Sequence, residues 1–136
     1  MNMNNYGIAE GRLTRDPVIL TNRDGSRKVK FTVAAQDNFK GSDGKHESQF
    51  INFDAFVRAD KENNGVYDIM HKGDLVKVHY TVKTNNYKDK DGSNVFSQLL
   101  FAQEIQLCES KSVVGARRAR NAADSEDTSE EDDLPF

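Results

Sequence analysis

Apolar and polar positions alternate along most of this chain with a period of two, the signature of half-buried strands. Val29, Phe31, Val33 and Ala35 alternate with Lys28, Lys30 and Thr32. Between Phe50 and Val57 the odd positions Ile51, Phe53, Ala55 and Val57 form a wholly apolar face, opposite Phe50, Asn52, Asp54 and Phe56. Val76, Val78, Tyr80 and Val82 stand opposite Lys77, His79, Thr81 and Lys83. Val95, Leu99, Phe101, Ile105 and Leu107 mark a last long strand, and Tyr6, Ile8 and Leu13 an early one at roughly 4–14. Asp24-Gly25 and Lys90-Asp91-Gly92-Ser93 supply turns. Only Ala59 to His71 has room for a helix, and the poor helix formers Asn63, Asn64 and Gly65 confine it to 66–71. This order predicts an all-β domain over residues 1–110, a five-stranded OB-fold barrel with one short helix. An open sandwich is compatible with the same pattern.

Beyond residue 110 apolar content falls away, so residues 111–136 are expected to form a disordered acidic tail. The net charge of −3 divides into −7 over residues 121–136 and +4 over residues 111–120, leaving residues 1–110 neutral. Even there Arg12, Arg15, Arg23, Arg27, Lys28 and Lys30 face only Asp16 and Asp24 within residues 12–30. A basic patch on the folded part points to a polyanion partner. The chain closes on Asp132-Asp133-Leu134-Pro135-Phe136, where a purely solvating tail gains nothing by exposing Phe136. Pro135 holds the tip partly extended, and the ring and α-carboxylate suit an apolar hole beside a basic group. The tip reads as a protein-docking peptide.

Cys108 is the single cysteine, so no internal disulfide forms, in keeping with a reducing cytoplasm. No apolar run approaches the roughly 18 residues of a membrane span, and Met1-Asn2-Met3-Asn4-Asn5 lacks the basic and apolar regions of a secretion signal. No catalytic residue, cofactor site or metal site is expected. His46, His71 and His79 lack ligand spacing with Cys108 or with paired acids, Asp54 and Glu104 are ungrouped, and no phosphate-cradling glycine loop is present.

The candidate chemistry is a surface. Phe50 and Phe56 sit among polar residues on the even face of their strand. Parity sets Tyr87 beside Lys83 and turns Phe96 away from the apolar series of its strand. Rings interleaved with cations such as Arg12, Lys28, Lys30 and Lys83 suit stacked bases with phosphates alongside. Phe39 falls in the core series of its strand unless a bulge turns it outward.

In order, Gly11-Arg12-Leu13-Thr14-Arg15-Asp16-Pro17, Phe31-Thr32-Val33-Ala34, Phe50-Ile51-Asn52-Phe53, Lys72-Gly73-Asp74-Leu75-Val76 and the Asp-Asp-Leu-Pro-Phe end resemble bacterial-type single-stranded DNA-binding proteins (SSB). The resemblance implies an OB-fold homotetramer that wraps single-stranded DNA without sequence preference and protects it in replication, recombination and repair. It implies stacking by Phe39, Phe50, Phe56 and Tyr87, a stacking mode that belongs to the family, and phosphate contacts by Arg58 and Lys72, with Lys40 a looser match. Asn5 and Tyr6 fall where the family's first strand touches DNA. The tip, Asp132 to Phe136, corresponds to the segment that recruits partner proteins.

The chain departs from the family where its favoured tryptophans are Phe or Tyr, which implies weaker stacking within the roughly 1–3 kcal/mol per base of such contacts. The linker is short and carries Arg117-Arg118-Ala119-Arg120, placed either to hold the acidic tail or to touch DNA. This abbreviation points to a phage or mobile-element version. An OB-fold protein-docking adaptor and an RNA-binding protein are the alternatives to set against this reading.

Overall fold

Alternation becomes six strands in a computed structural model that describes residues 3–109 and 115–122. They are β1 (Gly7–Leu13), β2 (Val18–Thr21), β3 (Arg27–Lys40), β4 (His46–Val57), β5 (Leu75–Lys88) and β6 (Asn94–Leu107). Their hydrogen-bonded order is β1-β5-β6-β4-β3-β2, and a further β1–β3 pairing closes the sheet into a barrel. Every pair is antiparallel except β4–β6. The ring has five members, as expected. β2 follows β1 along the same edge of β3, where Leu13 meets Val33 and Val18 meets Lys30. The two are halves of one path interrupted before Val18 by Pro17, which has no N–H for the ladder.

Closure depends on a close crossing. A Cβ at Gly11 would lie 2.2 Å from the Ala34 carbonyl oxygen, so only glycine lets β1 press against β3 there. Inside, the expected core faces meet: Leu13, Val29, Phe31, Val33, Phe53, Ala55, Val57, Val76 and Val78 are buried. Phe31 stacks on Phe53 at 5.3 Å between ring centroids, and Tyr80 leans on Phe53 at 5.4 Å. Met70 and Ala102 complete the cluster.

Three features differ from the sequence expectation. The helix is a single 3-10 turn, Gly65–Asp68, rather than 66–71. Gly65 at φ +61° cannot extend it backward, and the Asn64 amide is held by the Asp68 carboxylate. In β6 the register slips: Glu104 pairs with His79 but Ala102 with Tyr80, leaving Gln103 as an extra residue. Leu100 and Ala102 therefore join Ile105 at the core, and Leu99 and Phe101 turn outward. Within the span expected as tail, residues 115–122 form a helix, α1. It is tied to the barrel by Arg117 and Arg118, whose partners lie far back in the sequence. The tip at Asp132, Asp133, Leu134, Pro135 and Phe136 lies outside the described residues.

Candidate nucleic-acid interface

Residues directly opposite one another in a ladder share a side of the sheet, so the register alone assembles the outer face. Lys28 stands opposite Phe56, Lys30 opposite Asp54, Thr32 opposite Asn52 and Ala34 opposite Phe50. Across the parallel pair Asp54 meets Phe101, and from there Phe101 meets Thr81, Leu99 meets Lys83 and Val95 meets Tyr87. One outward side thus runs unbroken over β3, β4, β6 and β5. On it Phe50, Phe56 and Tyr87 are 47 %, 51 % and 52 % exposed. These rings point outward because Ile51, Phe53 and Ala55 on the same strand take the core, and a strand offers its two sides in turn.

The cations on this face are lightly held. Lys28 Nζ lies 3.7 Å from the Asp54 carboxylate, with the lysine half exposed. Lys83 Nζ sits 4.1 Å from the centroid of Phe101, a cation–π contact that the β6 bulge makes possible. Val95, Leu99 and Phe101 stand on this face although period-two reading places them with the core; only the bulge reveals their side. The Thr32 hydroxyl donates to Asn52 Oδ1 at 2.6 Å, tying that amide to the neighbouring strand. At the end of β4, Arg58 pairs with Asp60 at 3.1 Å with both side chains largely exposed, a contact that water and salt weaken readily.

Two arms extend past the barrel. The β3–β4 arm carries Phe39, 83 % exposed, in an irregular stretch between Gln36 and Lys40 where the ladder shifts. Phe39 leaves the core series because it lies on the arm, past the last residues of β3 that face the core. Lys40 pairs in register with His46 at the same exposed end. The β5–β6 arm carries Tyr87 on the face and Phe96, 72 % exposed, opposite Asn86 on the other side of the ribbon. Phe96 is therefore not brought together with the other rings.

Arg12 and Lys72 stand elsewhere, at a corner built around Gly73. The Arg12 guanidinium donates to the Gly73 carbonyl and to Glu109, each at 3.0 Å. The Lys72 amide donates to Asp16 and the Lys72 carbonyl accepts from Asn121 of α1. Asp74, 2 % exposed, accepts from Arg117 at 2.7 Å, Arg118 at 2.8 Å and the His71 amide at 2.9 Å. Arg117 also pairs with Glu109, and Arg118 reaches the Ile69 carbonyl at 2.6 Å. Burial pushes the Asp74 carboxyl up, but the two arginines and the amide outweigh it and hold it below the ordinary aspartate range. Glu109 is lowered in the same way, with burial opposed by Arg12, the Leu75 amide and Arg117. Among the described residues, Arg117 and Arg118 fasten α1 to the barrel; the acidic stretch that they were expected to hold lies outside those residues.

Cys108 follows β6 half-buried, and burial together with Glu10 raises its thiol pKa, which suits a small packing residue rather than a nucleophile. Among the described residues, no three His, Cys, Asp or Glu side chains are grouped to hold a metal ion.

Residues 3–108 match the Single-strand binding protein family. The chain is 36 % identical over 109 residues to the "Single-stranded DNA-binding protein 1" of Staphylococcus aureus strain Mu50, covering 80 % of this chain and 68 % of that one. It is 35 % identical over 109 residues to the "Single-stranded DNA-binding protein 2" of Listeria monocytogenes, covering 80 % and 66 %. A "Single-stranded DNA-binding protein 2" from S. aureus strain COL aligns at 30 % identity over 142 residues, covering 98 % of this chain and all of the relative.

Proposed function

Since the chain belongs to the single-strand binding protein family, a family of binding proteins rather than enzymes, we propose that it binds single-stranded DNA without sequence preference over the face of β3, β4, β6 and β5. Bases stack on Phe50, Phe56 and Tyr87, with Phe39 reaching over from its arm. Phosphates are met by Lys28, Lys30 and Lys83, with Lys40 and Arg58 at the margins. The observation that carries this reading is the juxtaposition of half-exposed rings and loosely paired cations on one continuous side. Stacking serves any base because every base has a π-face, and no arrangement of donors and acceptors on this face selects one sequence.

Arg12 contributes less, because its guanidinium is engaged by the Gly73 carbonyl and Glu109, whereas Lys72, held there through its backbone alone, offers its exposed ammonium to a phosphate at the margin. In this reading the protein works as a homotetramer that covers exposed strands during replication, recombination and repair. The tip at 132–136 captures the proteins that act there, with Phe136 as its apolar anchor.

Titration with oligo-dT and with duplex of equal length tests the central claim. Tight binding to the single strand is expected, much weaker binding to duplex, and a log affinity that falls with log salt by about 0.7 per phosphate neutralised. Equal binding to duplex, or affinity indifferent to salt, sinks it. An RNA oligonucleotide competing as well as DNA moves the ligand class to RNA. Light scattering of the free protein reads the assembly.

A further inference from the structure

β2 lies beside the proposed face without belonging to it in any expectation drawn from sequence. Its register fixes its sides: Ile19 meets Val29 in the core, so Val18, opposite Lys30, and Leu20, opposite Lys28, point outward. Both are half exposed, at 47 % and 49 %. Following the ladders onward gives two rows across the sheet, Leu20–Lys28–Phe56 and Val18–Lys30–Asp54. A groove of about 370 Å³ opens at the second row, lined by Arg15, Val18, Lys30, Thr32, Asn52 and Asp54, with Leu20 beside it in the neighbouring row.

Resting on the single-strand reading above, we propose that this groove, together with the exposed Leu20 beside it, is a further nucleotide seat. Val18 and Leu20 take the apolar surface of a base or sugar, and Arg15 with Lys30 take the phosphate. The charges select this occupant. Asp54 would repel a phosphate at the middle of the groove, but Lys28 lies 3.7 Å from it, so the unopposed positive charge is at the exposed Arg15 and at Lys30. What favours a nucleotide strand here is continuity: the row from Leu20 through Lys28 leads straight to Phe56 on the face already assigned to single-stranded DNA. Distance fits as well: from Phe56 to Leu20 is two strand spacings, about 10 Å, within the span of one or two nucleotides of extended strand. A strand stacked on Phe56 therefore reaches Leu20 by continuing across Lys28, and the footprint runs over β2.

The test uses the full chain and a ladder of oligo-dT lengths. Two variants, Val18→Ser with Leu20→Ser, and Arg15→Gln, are compared with Phe50→Ala with Phe56→Ala. The seat is filled only by strands long enough to pass Phe56. Long oligonucleotides should therefore lose about threefold to tenfold in affinity in the β2 variant, less than a full aromatic stack, while the shortest binding length is unchanged. Arg15→Gln should lower the salt slope by about 0.7. If both leave every length unaffected while the Phe50/Phe56 variant binds poorly, the seat is refuted and the wider reading stands. If the Phe50/Phe56 variant also binds normally, the wider reading falls with it. Equal loss at all lengths, or a change of mass by light scattering in the β2 variant, assigns Val18 and Leu20 to folding or to a subunit contact and overturns the seat. Arg15, exposed on a loop, keeps the phosphate half of the claim testable should the β2 variant fold poorly.

Discussion

The outer face and the Gly73 corner use the same side chains to opposite ends. At the corner, Asp74 is nearly buried and grips Arg117 and Arg118 at 2.7 and 2.8 Å, while Glu109 joins Arg12 to Arg117. On the face, Lys28 stands 3.7 Å from Asp54 and half in water, and Lys83 has a ring for a neighbour. A tightly bonded, desolvated ion pair resists exchange because breaking it leaves a charge stranded in a poor solvent. A loose, wet pair gives up its partner at little cost. Charge counted along a sequence therefore says nothing of availability. The four positives of residues 111–120 look like an anion site, yet two of them are consumed in holding α1.

The contrast is broken most severely by the rings. Phe50→Ala with Phe56→Ala should cost about 1–3 kcal/mol of binding per ring, read by oligo-dT titration, with the melting temperature almost unmoved. A variant that unfolds instead would place those rings in the core and erase the difference between the two regions.

Asp74→Asn should do the reverse, lowering stability by about 1–3 kcal/mol while leaving single-strand binding intact. Its pH dependence has a definite sign. The folded-state pKa of Asp74 is depressed, so its contribution is complete above the unfolded value of about 3.9 and is lost as pH falls through the folded one. Melting curves of parent and variant should accordingly converge as the pH drops below about 4. A constant gap would show that Asp74 acts through shape alone.

Lys28→Gln with Lys30→Gln sharpens the comparison at the level of charge. The salt slope should fall by about 0.7 for each phosphate that is no longer neutralised, whereas Arg118→Gln should leave the slope alone and lower the melting temperature. Removal of Leu134-Pro135-Phe136 should have the smallest effect on DNA affinity, nil or a slight gain, and should abolish capture of partner proteins. Undiminished capture by the truncated chain would count against the docking tip.

The odd and even faces of β4, of β5 and of β3 as far as Gln36 were legible because each keeps strict alternation, and with them the sides of Phe50, Phe56, Tyr87 and the lysines Lys28 and Lys30. What was illegible came from interruptions of that count. Gln103 inserts one residue and exchanges the sides of Leu100 and Phe101. Between Gln36 and Lys40 the ladder with β4 lapses and resumes two residues out of step, so the count of alternation gives no side for Phe39. β2 is only four residues long behind Pro17, too short for any periodicity to announce it. The attachment of α1 depends on Arg117 finding Asp74 43 positions away, a pairing that no local pattern encodes.

Gln103 has one more consequence. Because it lies within the barrel wall, between Ala102 and Glu104, it acts as a parity gate for the wall residues Leu100 and Phe101 and for the arm beyond them. Deleting that single residue would turn both inside out, sending Phe101 inward and Leu100 into water. Lengthening or shortening this arm is therefore tolerable only in steps of two.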